Sequence, residues 1–172
     1  MIKFLKETES FFKALDAEYQ TARNQGGLIS FTPTAFISFL IIRLSCEYEA
    51  SLHKIVLKKL QKETKSKHLH SYFEKNIKLR SSKRNNIKDN LKNINLCINN
   101  MNAIFENEKE QIFYDKIFGT KKDEEGANNI RNQIAHSLDF DFTQLPQWSE
   151  LFEYIEICDN VLQRIEAEMI FL

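Results

Sequence analysis

Glycine and proline are scarce in this chain, 4 and 2 residues among 172. A turn-rich β fold needs more of both, so the shortage argues for long helices joined by short loops. Cysteine is rare too. Cys46, Cys97 and Cys158 are far apart, odd in number and form no Cys-x-x-Cys. Each sits among apolar residues and reads as a small buried hydrophobe of a reducing cytoplasm. No apolar run is long enough to span a bilayer, since the most apolar stretch, residues 35–44, is short and contains Arg43. The first residues, Met-Ile-Lys-Phe-Leu-Lys-Glu-Thr-Glu, lack a signal-peptide pattern. A soluble cytoplasmic protein with no membrane association is expected. Gly-rich phosphate loops, His-Glu-x-x-His and Gly-x-Ser-x-Gly are all missing, which removes the common nucleotide-cradling, zinc-protease and serine-hydrolase classes. His68-x-His70 has no cysteine or paired carboxylate nearby and reads as a solvated pair. Neither a metal nor a cofactor is expected.

Net charge is also lacking, with 24 Lys and Arg against 24 Asp and Glu. The balance hides an asymmetry. Residues 53–92 hold 13 basic against 3 acidic residues, whereas residues 101–172 hold 6 against 15. The basic block would steer a polyanion, or it would meet the acidic half of the same fold or of a second subunit. Sequence alone leaves both readings open.

What is abundant is phenylalanine, 14 residues, a large payload for a helical core. The length suits one domain over residues 1–172 with a sizeable core. Phe4, Leu5, Phe11, Phe12, Leu15 and Tyr19 predict a first amphipathic helix over residues 2–23, broken by Gln25-Gly26-Gly27. Thr32 reads as an N-cap with Pro33 at the first helical position of a long helix to about Glu63, apolar nearly all round in its first half. A short helix is expected over residues 70–79, and a mobile loop over residues 81–86. Ile87, Leu91, Ile94 and Ile98 repeat at helical spacing, and Ile104, Ile112, Phe113 and Ile117 do so more loosely up to Gly119. Thr120 to Asp123 resembles a capping pair, and Asp123-Glu124-Glu125 suits a helix start. After a loop over residues 138–145, Pro146 opens a closing helix to about Ile170. Its stripe is Leu151, Tyr154, Ile155, Cys158, Val161, Leu162 and Ile165, with Trp148 as a packing anchor at its start. The fold class is all-α, a helical bundle around a long central helix.

One hexamer, Arg131-Asn132-Gln133-Ile134-Ala135-His136, carries chemistry. Arginine clamps a phosphate through paired hydrogen bonds, and histidine moves a proton near neutral pH. Together they suit attack on a phosphodiester, and RNA supplies its own nucleophile in the 2′-hydroxyl. His136 would be general base on that hydroxyl or general acid on the leaving 5′-oxygen. Arg131 would stabilise the charge building on phosphorus. Asn132 would donate to the phosphate or orient His136. Residues five apart on a straight helix differ by about 140° and rise about 7.5 Å. Arg131 and His136 therefore share no helix face. Either the backbone turns near Ala135, or the two act across a subunit interface. Ile130 and Ile134, four apart, would anchor this helix in the core. The plain structural reading is an Arg paired with a carboxylate and a His favoured by a helix C-terminus.

Arg-Asn-x-x-x-His followed by a small residue, here Ser137, resembles the motif of the HEPN superfamily of small all-helical prokaryotic domains. Glu47-Tyr48-Glu49 on the long helix and the closing helix match the family's order of elements, so the resemblance spans most of the chain. It implies a metal-independent endoribonuclease, the toxin or effector of a toxin–antitoxin or phage-defence system, with two motifs facing each other across a homodimer cleft. It also implies RNA as substrate, and a cognate antitoxin or a nucleotidyltransferase as partner. Tyr48-Glu49 matches the family's aromatic–acidic pair, so Glu49 would orient Arg131 or His136 by a charge-assisted hydrogen bond; the alternative is a surface carboxylate. Glu47 is the neighbouring candidate, although an intrahelical pair with Arg43 would explain it. The resemblance equally allows a non-catalytic module that binds nucleotide, RNA or a partner.

Overall fold

The computed structural model describes residues 3–24, 33–77, 84–119, 134 and 145–171. The class is all-α. Among the described residues six helices accompany one small two-stranded sheet. Helix α2 (Pro33–Glu63) starts and ends where the sequence predicts. Its buried positions, Ile37, Leu40, Ile41, Leu44, Tyr48, Leu52, Ile55, Val56 and Leu60, recur every three or four residues, so one continuous stripe runs its length. Helix α1 (Lys6–Asn24) packs on α2, where the Phe11 ring meets that of Phe39 edge-on at 5.6 Å, and α6 (Leu151–Glu168) packs on α2 and α1 with its entire predicted stripe buried. Trp148 acts as the expected anchor. Its indole Nε1 donates to Asp16 at 2.7 Å, and its ring packs against Phe12 and Tyr19.

Helix α3 (Lys67–Asn76) starts earlier than expected because Ser66 caps it, accepting from the Leu69 amide. Helix α4 (Arg84–Lys92) takes up the second half of the loop expected over residues 81–86. Helix α5 (Glu108–Phe118) is capped by Asn107, which accepts from the Glu110 amide at 3.0 Å, and ends at Gly119, φ 78°. That left-handed backbone is open to glycine at no steric cost, so Gly119 stops the helix as the sequence indicates. Ile104 lies in a separate 3₁₀ turn (Met101–Ile104), and Ile112 faces solvent, so the loose repeat through them is not one helix.

Both ends of the small sheet correct the sequence reading. The helix expected to continue through Ile98 stops at Lys92. Asn95 adopts φ 57°, and β1 (Leu96–Ile98) follows. The closing helix stops at Glu168, and β2 (Met169–Phe171) pairs antiparallel with β1, Cys97 opposite Ile170. Pro146 is buried and lies outside any helix. A 3₁₀ turn (Trp148–Glu150) follows it, with the Gln147 amide donating to the Glu150 carboxylate at 2.7 Å. The cysteines also differ from expectation. Cys158 is buried, which pushes its thiol pKa far up, with Asp159 adding to the effect; Cys97 is half-buried and Cys46 is exposed. Among the described residues no helix is long and apolar enough to cross a membrane.

Expectations for Gln25-Gly26-Gly27, Thr32, residues 81–83, Thr120 to Glu125 and the loop over residues 138–144 lie outside the described residues.

Candidate functional site

Glu47, Tyr48 and Glu49 are consecutive on α2, so their side chains fan out in steps of about 100°. Tyr48 points straight into the core. It is wholly buried, its ring lies 4.8 Å from Phe118 and 5.7 Å from Tyr114, and its hydroxyl accepts from that of Tyr114 at 3.0 Å. Burial raises both phenol pKa values far above the ordinary range, so neither ionises at neutral pH.

Glu47 faces α1. Its two carboxylate oxygens accept the backbone N–H groups of Glu7 at 3.1 Å and Thr8 at 2.8 Å. On the same helix end, Asp159 of α6 accepts from Phe4 at 2.6 Å and Leu5 at 2.9 Å. Two carboxylates from two helices thus satisfy donors that an α-helix leaves open at its N-terminus, where the dipole favours negative charge. The intrahelical pair expected between Arg43 and Glu47 does not form; Arg43 reaches Glu7 instead, at 3.4 Å. Glu47 is a helix cap. Nothing in the local sequence announces this, because the capped residues lie about 40 positions away.

Glu49 is half-buried on the next face round. One turn further along α2, the His53 Nε2 meets the Ile77 carbonyl at 2.7 Å and ties down the end of α3. Of the motif, Arg131, Asn132 and His136 lie outside the described residues. Ile134 is helical, half-buried and packed against the core, as the anchoring role predicts. The flanks of the motif segment are also placed. Phe118 and Gly119 end α5 beside Tyr48, the residue before Glu49. On the far side, Leu145 and Pro146 lead into Trp148, whose ring packs on Phe12 of α1.

The histidine pair of the basic stretch is not a matched solvated pair. His70 is half-buried with Nε2 against the Thr64 carbonyl at 2.8 Å, whereas His68 is exposed. Among the described residues no three His, Cys, Asp or Glu side chains are grouped to hold a metal ion.

Comparison with protein-family models, with curated proteins and with solved structures returned no match for this chain.

Proposed function

We propose that this protein is a metal-independent endoribonuclease of the HEPN type, in which Arg131, Asn132 and His136 act on an RNA phosphodiester with Glu49 as their positioning carboxylate. The observation that carries the reading is the Arg-Asn-x-x-x-His motif in the sequence of an all-α chain, together with its internal Ile134, which packs against the core. The end of α5 supports it, since the Phe118 ring lies 4.8 Å from that of Tyr48, the residue before Glu49.

In this reading the 2′-oxygen attacks phosphorus, the 5′-oxygen leaves, and a cyclic 2′,3′-phosphate remains. His136 takes the proton from the 2′-hydroxyl or gives one to the departing 5′-oxygen. A homodimer cleft would supply a second His136 for the other transfer. Arg131 meets the growing charge on the phosphoryl oxygens, where a preorganised cation is worth most. As the product of such a cleft, the protein would serve as toxin or effector in a prokaryotic defence or toxin–antitoxin module, held in check by a partner protein.

The test is RNA cleavage in EDTA by the wild type and by His136→Ala, each verified for fold and oligomeric state. Cleavage by the wild type yielding 5′-hydroxyl and cyclic phosphate ends is expected. The variant should fall by at least about 100-fold, the usual contribution of a positioned general acid or base. Intact RNA in every wild-type reaction sinks the catalytic reading, and nucleotide binding abolished by Arg131→Ala would then favour a non-catalytic module.

A further inference from the structure

The basic block has two possible counterparts, the acidic half of its own fold or an external polyanion. Ion-pair geometry separates them. Lys58 does reach the acidic half, with Nζ 2.7 Å from Glu166 of α6. Lys54, Lys62, Lys65, Lys67 and Lys75 are all exposed, and none of them makes an ion pair among the described residues. Three carboxylates belong to the block, and one of them, Asp89, lies on α4. Glu63 is exposed, and Glu74 accepts from the Gln61 side chain at 3.1 Å. The five lysine charges are therefore left uncompensated among the described residues.

Helix α3 gives the charge a shape. Contacts pair His70 with Thr64, Glu74 with Gln61 and Ile77 with His53, so α3 runs antiparallel along the second half of α2. Phe73 and Ile77 pack inward, yet no residue of α3 is fully buried. Its opposite face presents His68, Tyr72 and Lys75, which fall within about 60° of one another on the helix. Tyr72 is 60% exposed, although its neighbour Phe73 is packed against the core. An exposed ring among unpaired lysines is what binds single strands, where bases stack on aromatics and lysines follow the phosphates. A protein partner of ordinary strength would want a wider apolar centre than Leu69 and Tyr72 provide.

We propose that the outward face of α3, together with Lys54 and Lys62 of α2 and Lys65 between the helices, docks single-stranded RNA. The assignment rests on the ribonuclease reading above, because the Ile77 end of α3 is tied to His53, one turn of α2 beyond Glu49. A strand on α3 would run away from the candidate site along the length of α2.

The experiment uses the full chain carrying His136→Ala, titrated into a short labelled single-stranded RNA at several salt concentrations. Lys62→Gln/Lys65→Gln/Lys75→Gln should weaken binding and reduce the slope of log K against log salt by about 2, three phosphate contacts at roughly 0.7 each. Tyr72→Ala should lose about tenfold in affinity through lost stacking, while Tyr72→Phe keeps it. Unchanged affinity and slope in the triple variant overturn the proposal. So does a shift in oligomeric state with RNA affinity intact, which would assign the surface to an acidic face of a second copy. Wild-type cleavage is read separately. If the wild type cuts RNA while the lysine variants bind normally, docking fails and the ribonuclease reading stands. If the lysine variants lose RNA while the wild type never cuts, the docking surface stands and the catalytic reading falls.

Discussion

Buried tyrosines show how one side-chain group can be stabilising at one site and costly at another. The Tyr114 hydroxyl donates to Tyr48, so its desolvation is offset by a hydrogen bond. The Tyr154 hydroxyl is buried with no partner among the described residues, while its ring stacks on Phe113 at 4.8 Å. Stacking comes from the ring and the desolvation cost from the oxygen. Tyr154→Phe should therefore keep the packing and raise stability by about 1 kcal/mol, or roughly 2–4 °C in Tm for a chain of this size. Thermal unfolding followed by circular dichroism checks it. A lower Tm would mean that the hydroxyl has a partner after all. The same accounting applies to Glu9, whose carboxyl is held below the usual range by hydrogen bonds from Lys13 and Lys3. That stabilisation is present above the unfolded pKa and is lost as pH falls through the lower, folded one.

At the scale of elements, α1 depends on caps that its own sequence does not contain. Glu47 of α2 and Asp159 of α6 both serve its first turn. Glu47→Ala and Asp159→Ala should each cost about 1–2 kcal/mol, as loss of an N-cap usually does, with Asp159 the more expensive because it is buried. Urea unfolding should show lower midpoints at an unchanged slope. An altered slope would instead point to α1 detaching as a unit. This dependence also marks where sequence reading stops. Local signals placed α2 and the buried stripe of α6 well, because periodicity over many turns is a strong signal. They missed the sheet, because three-residue strands are too short to show alternation, and Ile94 and Ile98 happen to keep helical spacing. The available hint was Asn93-Ile-Asn95, whose asparagines favour a turn and tolerate the left-handed backbone found at Asn95. Of the candidate site, the sequence offers the motif, whose Arg131, Asn132 and His136 lie outside the described residues, and the Tyr48–Glu49 pair, which lies on α2 as expected. The structural duty of Glu47 was not legible, since it joins residues far apart in the chain.

For the whole molecule, α2 is the element that α1, α3 and α6 all pack against. Leu52 lies fully buried in the middle of its stripe, with basic, solvated residues on the other face of the same helix half. The core and the uncompensated lysines are thus two sides of one rod. If the chain is a single cooperative unit, damage at Leu52 must be felt everywhere at once. Leu52→Ala should cost about 3–4 kcal/mol through lost burial and the cavity it leaves. At roughly 2–4 °C per kcal/mol, that lowers Tm by about 6–16 °C. Calorimetry should show one transition moving as a whole, with its calorimetric and van't Hoff enthalpies equal. Two transitions, only one of them shifted, would divide the chain into independently folding parts. The RNA surface on α3 would then have to be tested for coupling to the motif segment.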